Sequence, residues 1–537
     1  MIDNHLPKNI MGGGGATPNP KTLMKELRKH YWKAFLALIK AYKRYYLGAW
    51  IIKLPFYKLT SNQHKFTKWQ AKRDERLEFL HNALKTFKFL RVFYEESKKW
   101  LNSPEFKAKY LDTKHPYPPL FNPDSVDYKS IPAELAWELN LPLPPNYKFM
   151  FYNSGGSATT ATMRFLTECD ITVEYFHGSK AIYFGYFDIL SKSMFNKNCL
   201  LFYGLFAFQL DALNSDSARL LNSFSLKTPL LHIARDPIEK LQHILNHIGD
   251  YSEIEIFPKI VNLTYDYNIM PKYTYIGGSA TPTLNNLLDT HFLLECLLFN
   301  SMLNSLKDKV TSIHCIEFND LKPDKAFDTF CKLADTLGFD KPTNKEIFTN
   351  RINRNRGALV TLPTTLYVHK DDLKYAFKEG QKEKRNLVSL RKKGGFSIII
   401  TLPHYLDEKQ KEFADISDEI EPNLIIDDAK ICIIIDKNEL IKLKENDELF
   451  KASKDYLKGY VNALKDNAEQ IKANLINETQ IIEYLRCNDE ARKNMKQILD
   501  TELTYIKTHH PNFIEKWKYY LEFEKMCAEL DGEKDEK

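Results

Sequence analysis

The sequence predicts an α/β protein whose core is a parallel sheet, with a helical region before it and a mixed, mainly helical region after it. Three observations predict this class. Between residues 147 and 357, short apolar segments alternate with helical patterns, and this repetition is typical of a parallel sheet covered by helices on both faces. Residues 21–110 carry helical patterns rich in basic and aromatic side chains, and charged periodic helices run from about 438 to 529.

Composition and charge exclude several classes of protein. The 537 residues are 43% hydrophobic and 27% charged, with a net charge of +6. Neither a largely disordered chain nor a strongly basic nucleic-acid-binding protein is indicated, so no nucleic-acid partner is predicted. The eight cysteines include no CxxC pair, and no histidine cluster has the spacing of zinc ligands. We therefore predict no metal site and no tightly bound cofactor, and the scattered thiols indicate a reducing, cytoplasmic compartment.

The first 110 residues contain two distinct segments. Residues 1–20, with the run Gly12–Gly15, hold little that could be buried and are predicted to be disordered. Ten Lys or Arg and a single acid, Glu26, lie between Lys21 and Lys58, with aromatic residues among them. This 21–58 stretch can pack its aromatic side chains inward as a helical hairpin, which we favour. It can also lie on an anionic membrane surface, which would place the protein peripherally at the inner membrane.

The elements that follow are predicted from apolar runs and their periodicity. Residues 111–146 are proline-rich and predict a linker, or a wrap over the next domain. The core, 147–357, carries predicted strands Lys148–Tyr152, Ile171–Tyr175, Cys199–Tyr203, Pro229–Ala234 and Val310–Phe318, and predicted helices Thr160–Glu168, Leu241–His247 and Asp324–Leu337. Residues 358–537 are predicted to be an accessory region, with strands Phe396–Leu402 and Ala429–Ile435 before its helices.

The strongest local signal is a small-residue loop between the first core strand and its helix. Its residues are Ser154, Gly155, Gly156, Ser157, Ala158, Thr159 and Thr160. Glycines let backbone N–H groups approach an anion closely, and the helix N-terminus and hydroxyl groups add further donors. The loop is not a Walker motif, because GxxxxGK[ST] is absent. It predicts a phosphate-binding loop, with an ordinary strand-to-helix turn as the alternative.

Arginines supply the second signal. Arg235 follows the strand Pro229–Ala234 and precedes Asp236-Pro237, a typical helix start. In open α/β sheets ligands bind at the carboxyl ends of strands, and a guanidinium can grip a phosphate bidentately. An Arg–carboxylate pair that fixes the turn is the alternative. Arg354 and Arg356, close to Gly357, suit a second phosphate.

Together these segments resemble the sulfotransferase family, in which the motifs occur in the same order. The resemblance rests on Ser157-Ala158-Thr159-Thr160, Arg235-Asp236-Pro237, Asn319-Asp320-Leu321 and Leu337-Gly338. It implies a P-loop-like core in which the loop holds the 5′-phosphosulfate of phosphoadenosine phosphosulfate and Arg235 binds the 3′-phosphate. Four positions depart from the family pattern: Gly156 stands at its basic residue, Ala158 at its glycine, His243 at its serine, and Leu205 follows Gly204 where the family often has a histidine. The nucleotide co-substrate can therefore be another activated nucleotide.

The Gly-Gly-Ser-Ala-Thr loop, the Arg-Asp-Pro strand end and the glycine run resemble a narrower group, the sulfotransferase-like sugar-transferase family of bacterial capsule loci. That resemblance implies a polysaccharide acceptor and a donated sulfuryl or phosphoryl-type group, for example methyl phosphoramidate. We therefore expect a capsule-biosynthesis transferase. Two alternatives remain: a sugar-nucleotide glycosyltransferase, which should carry a DxD-type metal site, and a non-catalytic binding protein on a decayed transferase fold.

A general base would have to accept the proton of the acceptor hydroxyl. His177 follows a predicted strand, and His243 shares a helix face with His247 after Arg235. An imidazole with a pKa near neutrality suits this role, so His177 and His243 are our candidates, against the alternative of structural histidines. A second copy of the loop sequence, in Ile276–Pro282, can form another anion-binding turn, but a lid or a plain turn is favoured because Pro282 replaces the second threonine.

Overall fold

The computed structural model describes residues 95–193, 197–203, 215–250, 252–255, 257–349, 357–377, 394–403, 406 and 410–531, and a few isolated positions before 95. Residues 1–20 and, apart from isolated positions, the 21–58 stretch lie outside the described residues, so their predicted disorder and membrane contact stay predictions. Within the described parts of the chain, no helix is long and apolar enough to cross a membrane.

The strands, numbered in chain order, form four sheets. They are β1 (Phe149–Asn153), β2 (Cys199–Tyr203), β3 (Thr228–Ala234), β4 (Ile248–Asp250), β5 (Ile260–Asn262), β6 (Thr274–Tyr275), β7 (Val310–Glu317), β8 (Thr364–Val368), β9 (Phe396–Thr401), β10 (Ala414–Asp415), β11 (Ile425–Ile426), β12 (Ala429–Lys430) and β13 (Cys432–Ile435).

The α-helices are numbered in the same way. They are α1 (Pro104–Phe106), α2 (Ala133–Glu138), α3 (Thr159–Glu168), α4 (Ser179–Lys192), α5 (Ser215–Asn222), α6 (Pro237–Leu245), α7 (Ser252–Glu255), α8 (Thr290–Leu297), α9 (Asn300–Leu306), α10 (Ala326–Leu337), α11 (Glu346–Thr349), α12 (Ser417–Ile420), α13 (Lys437–Lys444), α14 (Asp447–Ala473), α15 (Glu478–Cys487), α16 (Asp489–Glu502), α17 (Thr504–His509), α18 (Pro511–Ile514) and α19 (Lys518–Asp531).

The described residues divide between two compact units. The first takes in residues up to Arg235, with Leu293–Asn350 and Gln497–Lys516, and the second takes in Asp236–Phe292, Arg351–Lys496 and Trp517–Lys537. The stretch 147–357, predicted as one core, is therefore shared between the two units. Each unit has a sheet of its own, so the mixed α/β class is confirmed.

The sheet of the first unit is parallel and has the order β2-β1-β3-β7. All five residues of β1 are buried, as expected of a central strand in a sheet covered on both faces. The predicted strand Cys199–Tyr203 has the observed bounds of β2, and three other strands are shifted by a residue at one or both ends.

The predicted strand Ile171–Tyr175 is wrong, because only Thr172 forms a bridge, to Asn198. The hydroxyl of Tyr186 explains why pairing ends there. It accepts the Leu201 N–H at 2.8 Å and donates to the Glu174 carbonyl at 2.8 Å. A side chain thus takes the backbone groups that a longer ladder would have used.

The proline-rich segment 111–146 packs onto the first unit, as the wrap alternative predicts. Leu143 N–H donates to the Ser223 carbonyl at 2.8 Å, and the Tyr183 hydroxyl donates to the Leu141 carbonyl at 2.6 Å. Trp137 of α2 is 2% exposed. Since its backbone is bonded and its apolar side chains are buried, the segment is part of this unit's core.

The second unit is built on a five-stranded sheet of order β10-β13-β9-β8-β5. β5 and β8 are parallel, and the other pairs are antiparallel. The predicted strand Ala429–Ile435 is divided at Ile431, whose N–H donates to the Leu424 carbonyl at 3.0 Å. The long helix α14 buries its apolar face in the core of this unit, and the helices predicted between 438 and 529 are confirmed as α13–α19.

Candidate functional site

The carboxyl ends of β1 and β3 lie side by side in the first unit. β1 lies between β2 and β3, so the chain leaves β1 toward β2 on one side and later reaches β3 on the other. Such a reversal of strand order is where open α/β sheets bind their ligands. Tyr152 and His232 are register partners next to these strand ends, so the loop after β1 and Arg235 after β3 emerge beside one another.

Asn153, the last residue of β1, fixes the loop. Its side chain is fully buried, and its Nδ2 donates to the Ser157 carbonyl at 2.8 Å and to the Thr159 hydroxyl at 3.0 Å. Its Oδ1 accepts the Ser154 N–H at 3.1 Å. Sequence analysis missed this residue, although an amide that ends an otherwise apolar strand was a visible signal. The loop conformation therefore depends on a group outside the predicted motif.

The loop makes two left-handed turns before α3 begins. Gly156 has φ +78°, and Ala158 has φ +56° and ψ +30°. Ala158 is the N-cap of α3, and its side chain provides no capping hydrogen bond. The first N–H groups of a helix have no partner within the helix, and they carry its positive dipole end. The ten-residue helix α3 thus presents uncapped N–H groups next to the loop.

Ala158→Gly should stabilise the protein. The left-handed region costs a non-glycine residue roughly 1–2 kcal/mol. Glycine avoids this cost, but it loses more backbone entropy on folding than alanine does, which offsets part of the gain. We expect a net gain of about 0.5–1 kcal/mol, measured as a rise of about 2 °C in Tm. The control is Ala161→Gly within α3, which should lower Tm because glycine weakens a helix interior. Equal effects of the two substitutions would contradict the strain at Ala158.

Ser157 carries a buried hydroxyl within the loop. The residue is 1% exposed, and its Oγ has no hydrogen-bond partner among the described residues. An unpaired buried polar group costs about 1–3 kcal/mol. Such a group needs an explanation, and a functional role or a bound ion or water are among those that native proteins show. Ser157 is the serine that the sequence singled out for phosphate contact, so the orphaned hydroxyl fits an anionic ligand.

Arg235 bridges the loop and the turn that follows β7. Its Nη1 donates to the Gly156 carbonyl, and its guanidinium carbon lies 4.0 Å from the ring centroid of Phe318. A cation over an aromatic ring is held there electrostatically. The side chain is half-buried. The contacts with Gly156 and Phe318 both help to position Arg235 beside the loop, and sequence analysis did not select Phe318.

The turn beneath Arg235 is itself held by a buried carboxylate. Glu317, the last residue of β7, is 2% exposed. Its two oxygens accept the backbone N–H of Asn319 at 2.8 Å and the Asn319 Nδ2 at 3.1 Å. These bonds start the 3₁₀ turn Phe318–Leu321. Glu317 thereby fixes the ring on which the Arg235 guanidinium rests.

Asp236 begins the second unit and caps α6 as predicted. Its Oδ1 accepts the Ile238 N–H at 2.9 Å, and Pro237 opens the helix. Its Oδ2 also accepts the N–H groups of Tyr519 and Tyr520, at 3.0 and 3.1 Å. Asp236 is 3% exposed, and burial raises the pKa of its carboxyl to about 6. The three N–H groups that it accepts lower the pKa, but their effect is smaller than that of burial.

The candidate bases lie in different units. His177 is exposed, between the Thr172 bridge and α4, with its ring edge-on to Tyr175 at 4.6 Å. His243 is half-buried on α6 of the second unit. His232 is structural, since it is 4% exposed and stacks on Phe299 with 3.7 Å between ring centroids.

The remaining predicted groups are placed as follows. Thr159 is half-buried and Thr160 is exposed in the first turn of α3. Arg354 and Arg356 lie outside the described residues, so a second phosphate site stays a prediction. Among the residues that the structure does describe, no group of three or more His, Cys, Asp or Glu is arranged to hold a metal ion.

The second copy of the loop sequence forms a closed turn in the second unit. Gly277 and Gly278 have φ +90° and +82°. The Tyr275 N–H donates to the Ser279 carbonyl at 2.8 Å, and the Ser279 hydroxyl donates to the Thr281 carbonyl. No helix follows directly, as Leu284–Leu288 is a 3₁₀ turn. This second copy is therefore a plain turn.

Comparison with known proteins gives one partial similarity. A family model described as "Protein of unknown function (DUF2972)" matches residues 315–530. The matched stretch covers less than half of the chain and leaves out both the 154–160 loop and Arg235. No curated protein and no solved structure matches the chain. Residues 315–530 are therefore similar to a family whose function is unknown.

Proposed function

We propose that this protein is a transferase that passes a sulfuryl or phosphoryl-type group, for example methyl phosphoramidate, from a nucleotide donor to a hydroxyl of a capsular or surface polysaccharide. The observation that carries the proposal is the contact between the 154–160 loop and Arg235 beside the carboxyl ends of β1 and β3. A helix N-terminus, an arginine and a serine hydroxyl without a partner among the described residues suit a phosphate-bearing ligand there. The polysaccharide acceptor comes from the resemblance to the capsule-locus family.

The proposed reaction is an in-line displacement. The acceptor oxygen attacks the sulfur or phosphorus of the donor, and the bond from that atom to the nucleotide phosphate oxygen breaks. The nucleotide leaves with the bonding electron pair, so negative charge grows on its phosphate. N–H groups at the start of α3, the Ser157 hydroxyl and the Arg235 guanidinium would stabilise that charge.

The acceptor hydroxyl must lose a proton in this reaction. We propose His177 as the base, because it is exposed and follows a segment that runs parallel to β2 from Thr172. That direction leads toward the carboxyl end of the sheet, where the loop lies. His243 belongs to the second unit and has no part in this proposal.

We also propose a cytoplasmic location close to the inner membrane. The basic and aromatic 21–58 stretch would hold the protein near the lipid surface on which such polysaccharides are assembled. Co-sedimentation of the full chain with anionic vesicles, compared with a chain whose lysines in this stretch are replaced by glutamine, tests this placement. Equal sedimentation of the two chains would contradict it.

Calorimetric titration of the full chain with nucleotides tests the transferase proposal. The set is adenosine 3′,5′-bisphosphate, cytidine and guanosine nucleotides, and inorganic pyrophosphate. We expect at least one nucleotide to bind in competition with pyrophosphate, and a complementary transfer assay to label a polysaccharide acceptor. Nucleotide binding without transfer would favour the non-catalytic alternative, and metal-dependent binding of sugar nucleotides would favour a glycosyltransferase. No binding of any phosphate compound would overturn the proposal.

A further inference from the structure

A small cavity lies where the proline-rich segment meets α4 and α5 in the first unit. Its lining includes Trp137 and Asn140 from the segment, Tyr183 from α4, and Arg219 and Asn222 from α5. The space that a water-sized particle can occupy is about 10 Å³. That is room for about one water molecule or one monoatomic ion.

Two N–H donors in the cavity lining have no partner. The Nε1 of Trp137 and the Nε of Arg219 are both buried and form no hydrogen bond with any described residue. Buried N–H groups are nearly always hydrogen-bonded, because desolvating them without a partner costs free energy. Two such groups around one cavity point to an acceptor that belongs there.

The charge of Arg219 gives an independent argument. Its guanidinium lies 4.7 Å from the Trp137 ring centroid and donates to the Trp137 carbonyl. It forms no ion pair with a carboxylate in the described part of the chain, and the nearby Asp216 pairs with Lys180 at 3.1 Å. Burial lowers the pKa of Arg219, while Glu138 and Asp216 raise it from a greater distance. Arg219 is half-buried, and partly removing a cation from water is costly unless a negative charge compensates it.

We propose that this cavity binds one halide ion, held by the Nε1 of Trp137 and the Nε of Arg219. A halide accepts hydrogen bonds without donating any, so it satisfies both donors and offsets the guanidinium charge. A water molecule would satisfy the donors but would leave that charge uncompensated. The ion would fasten the proline-rich segment to α5, and the site is separate from the loop and Arg235.

The melting temperature of the full chain, measured in chloride and in gluconate at equal ionic strength, tests the site. We expect chloride to raise Tm by about 2–4 °C, since a ligand that binds only the folded state stabilises it. Trp137→Phe keeps an aromatic ring, although a smaller one, but removes the N–H donor, and it should abolish most of the rise. The matched control is Trp517→Phe, because the Trp517 Nε1 is also buried and unpartnered but belongs to the second unit. It should retain the full rise.

Bromide-soaked crystals provide a second measurement that does not depend on a variant folding. An anomalous peak within hydrogen-bond distance of both nitrogens would support the site. Equal Tm in chloride and gluconate, or a cavity without anomalous signal that holds only water, would overturn it. Loss of the chloride effect in Trp517→Phe as well as Trp137→Phe would also overturn it, because the effect would then not come from this cavity.

Discussion

Replacing Arg235 with alanine is expected to weaken binding of inorganic pyrophosphate, and of the nucleotide that competes with it, about ten- to hundred-fold. A charge-assisted hydrogen bond to phosphate contributes on the order of 1.5–3 kcal/mol, and about 1.4 kcal/mol corresponds to a tenfold change in Kd. Arg235→Lys should recover only part of the affinity, because an ammonium group cannot reproduce the bidentate guanidinium fork. Isothermal titration of each variant measures the change.

The control is Arg164→Ala, since Arg164 is an exposed arginine on α3 that pairs with Glu168 at 2.8 Å. It should bind both probes as the unmodified protein does. Arg235 also holds the Gly156 carbonyl, so Tm must be measured on the same samples. A folded Arg235→Ala protein with normal affinity and a lowered Tm would show that Arg235 only fixes the turn, and the transferase proposal would lose its main support.

The second large effect is expected at Asp236 and is a dependence of stability on pH. The pKa of its carboxyl rises from 3.8 to about 6 in the folded state, chiefly through burial. The folded state therefore holds the proton more tightly than the unfolded state. The resulting stability is fully present below about pH 4 and is lost as pH rises through about 6. At 1.36 kcal/mol per pKa unit the loss is about 3 kcal/mol.

Asp236→Asn has no carboxyl to titrate and should lack this loss. Its amide NH2 would also face the Tyr519 and Tyr520 N–H groups, so the variant is expected to be less stable at every pH. The informative quantity is therefore how the Tm difference between the two proteins changes between about pH 4 and 7. We expect the unmodified protein to lose about 6–12 °C relative to the variant over that range.

Asp436→Asn is the matched control, because Asp436 caps α13 in the same unit from a half-buried position. It reports the pH dependence that an N-cap carboxylate of this unit contributes without the burial of Asp236. A Tm difference for Asp236→Asn that stays constant with pH, or that changes no more than the Asp436→Asn control, would contradict the raised pKa.

Local sequence was enough to predict the four strands of the first unit's sheet and the helices α3, α6 and α10, but it missed elements such as α4 and β8. β1, the loop and α3 follow from an apolar run, a run of small residues and a helical repeat, which are all contiguous in the chain. β2 and the helices after 438 were predicted for the same reason. Arg235 at a strand end and Asp236-Pro237 at a helix start are likewise local patterns, because capping and strand ends involve neighbouring residues.

Contacts between residues that are distant in sequence could not be predicted from the sequence. Phe318 lies beneath Arg235 only because β3 and β7 pair with Ala234 opposite Glu317. The Tyr186 hydroxyl replaced a predicted strand by bonding backbone groups on two segments. The Asp236 carboxyl accepts N–H groups from residue 238 and from residues 519–520, which are far apart in sequence. No pattern within a short window contains such pairs.

The repeated sequence Gly-Gly-Ser-Ala-Thr shows what local sequence determined and what tertiary structure decided. In both copies the sequence by itself determined a turn, because adjacent glycines accept positive φ at little cost. Which residues take it differs: Gly156 and Ala158 in the first copy, Gly277 and Gly278 in the second. In the first copy, the Asn153 side chain donates to the Ser157 carbonyl, and helix α3 begins two residues later. In the second copy, the Asn286 side chain donates to the Ile276 carbonyl at 2.9 Å. Only tertiary structure decided between a loop that leads into a helix and a closed turn, because the hydrogen bonds that select each backbone conformation come from residues outside the repeat.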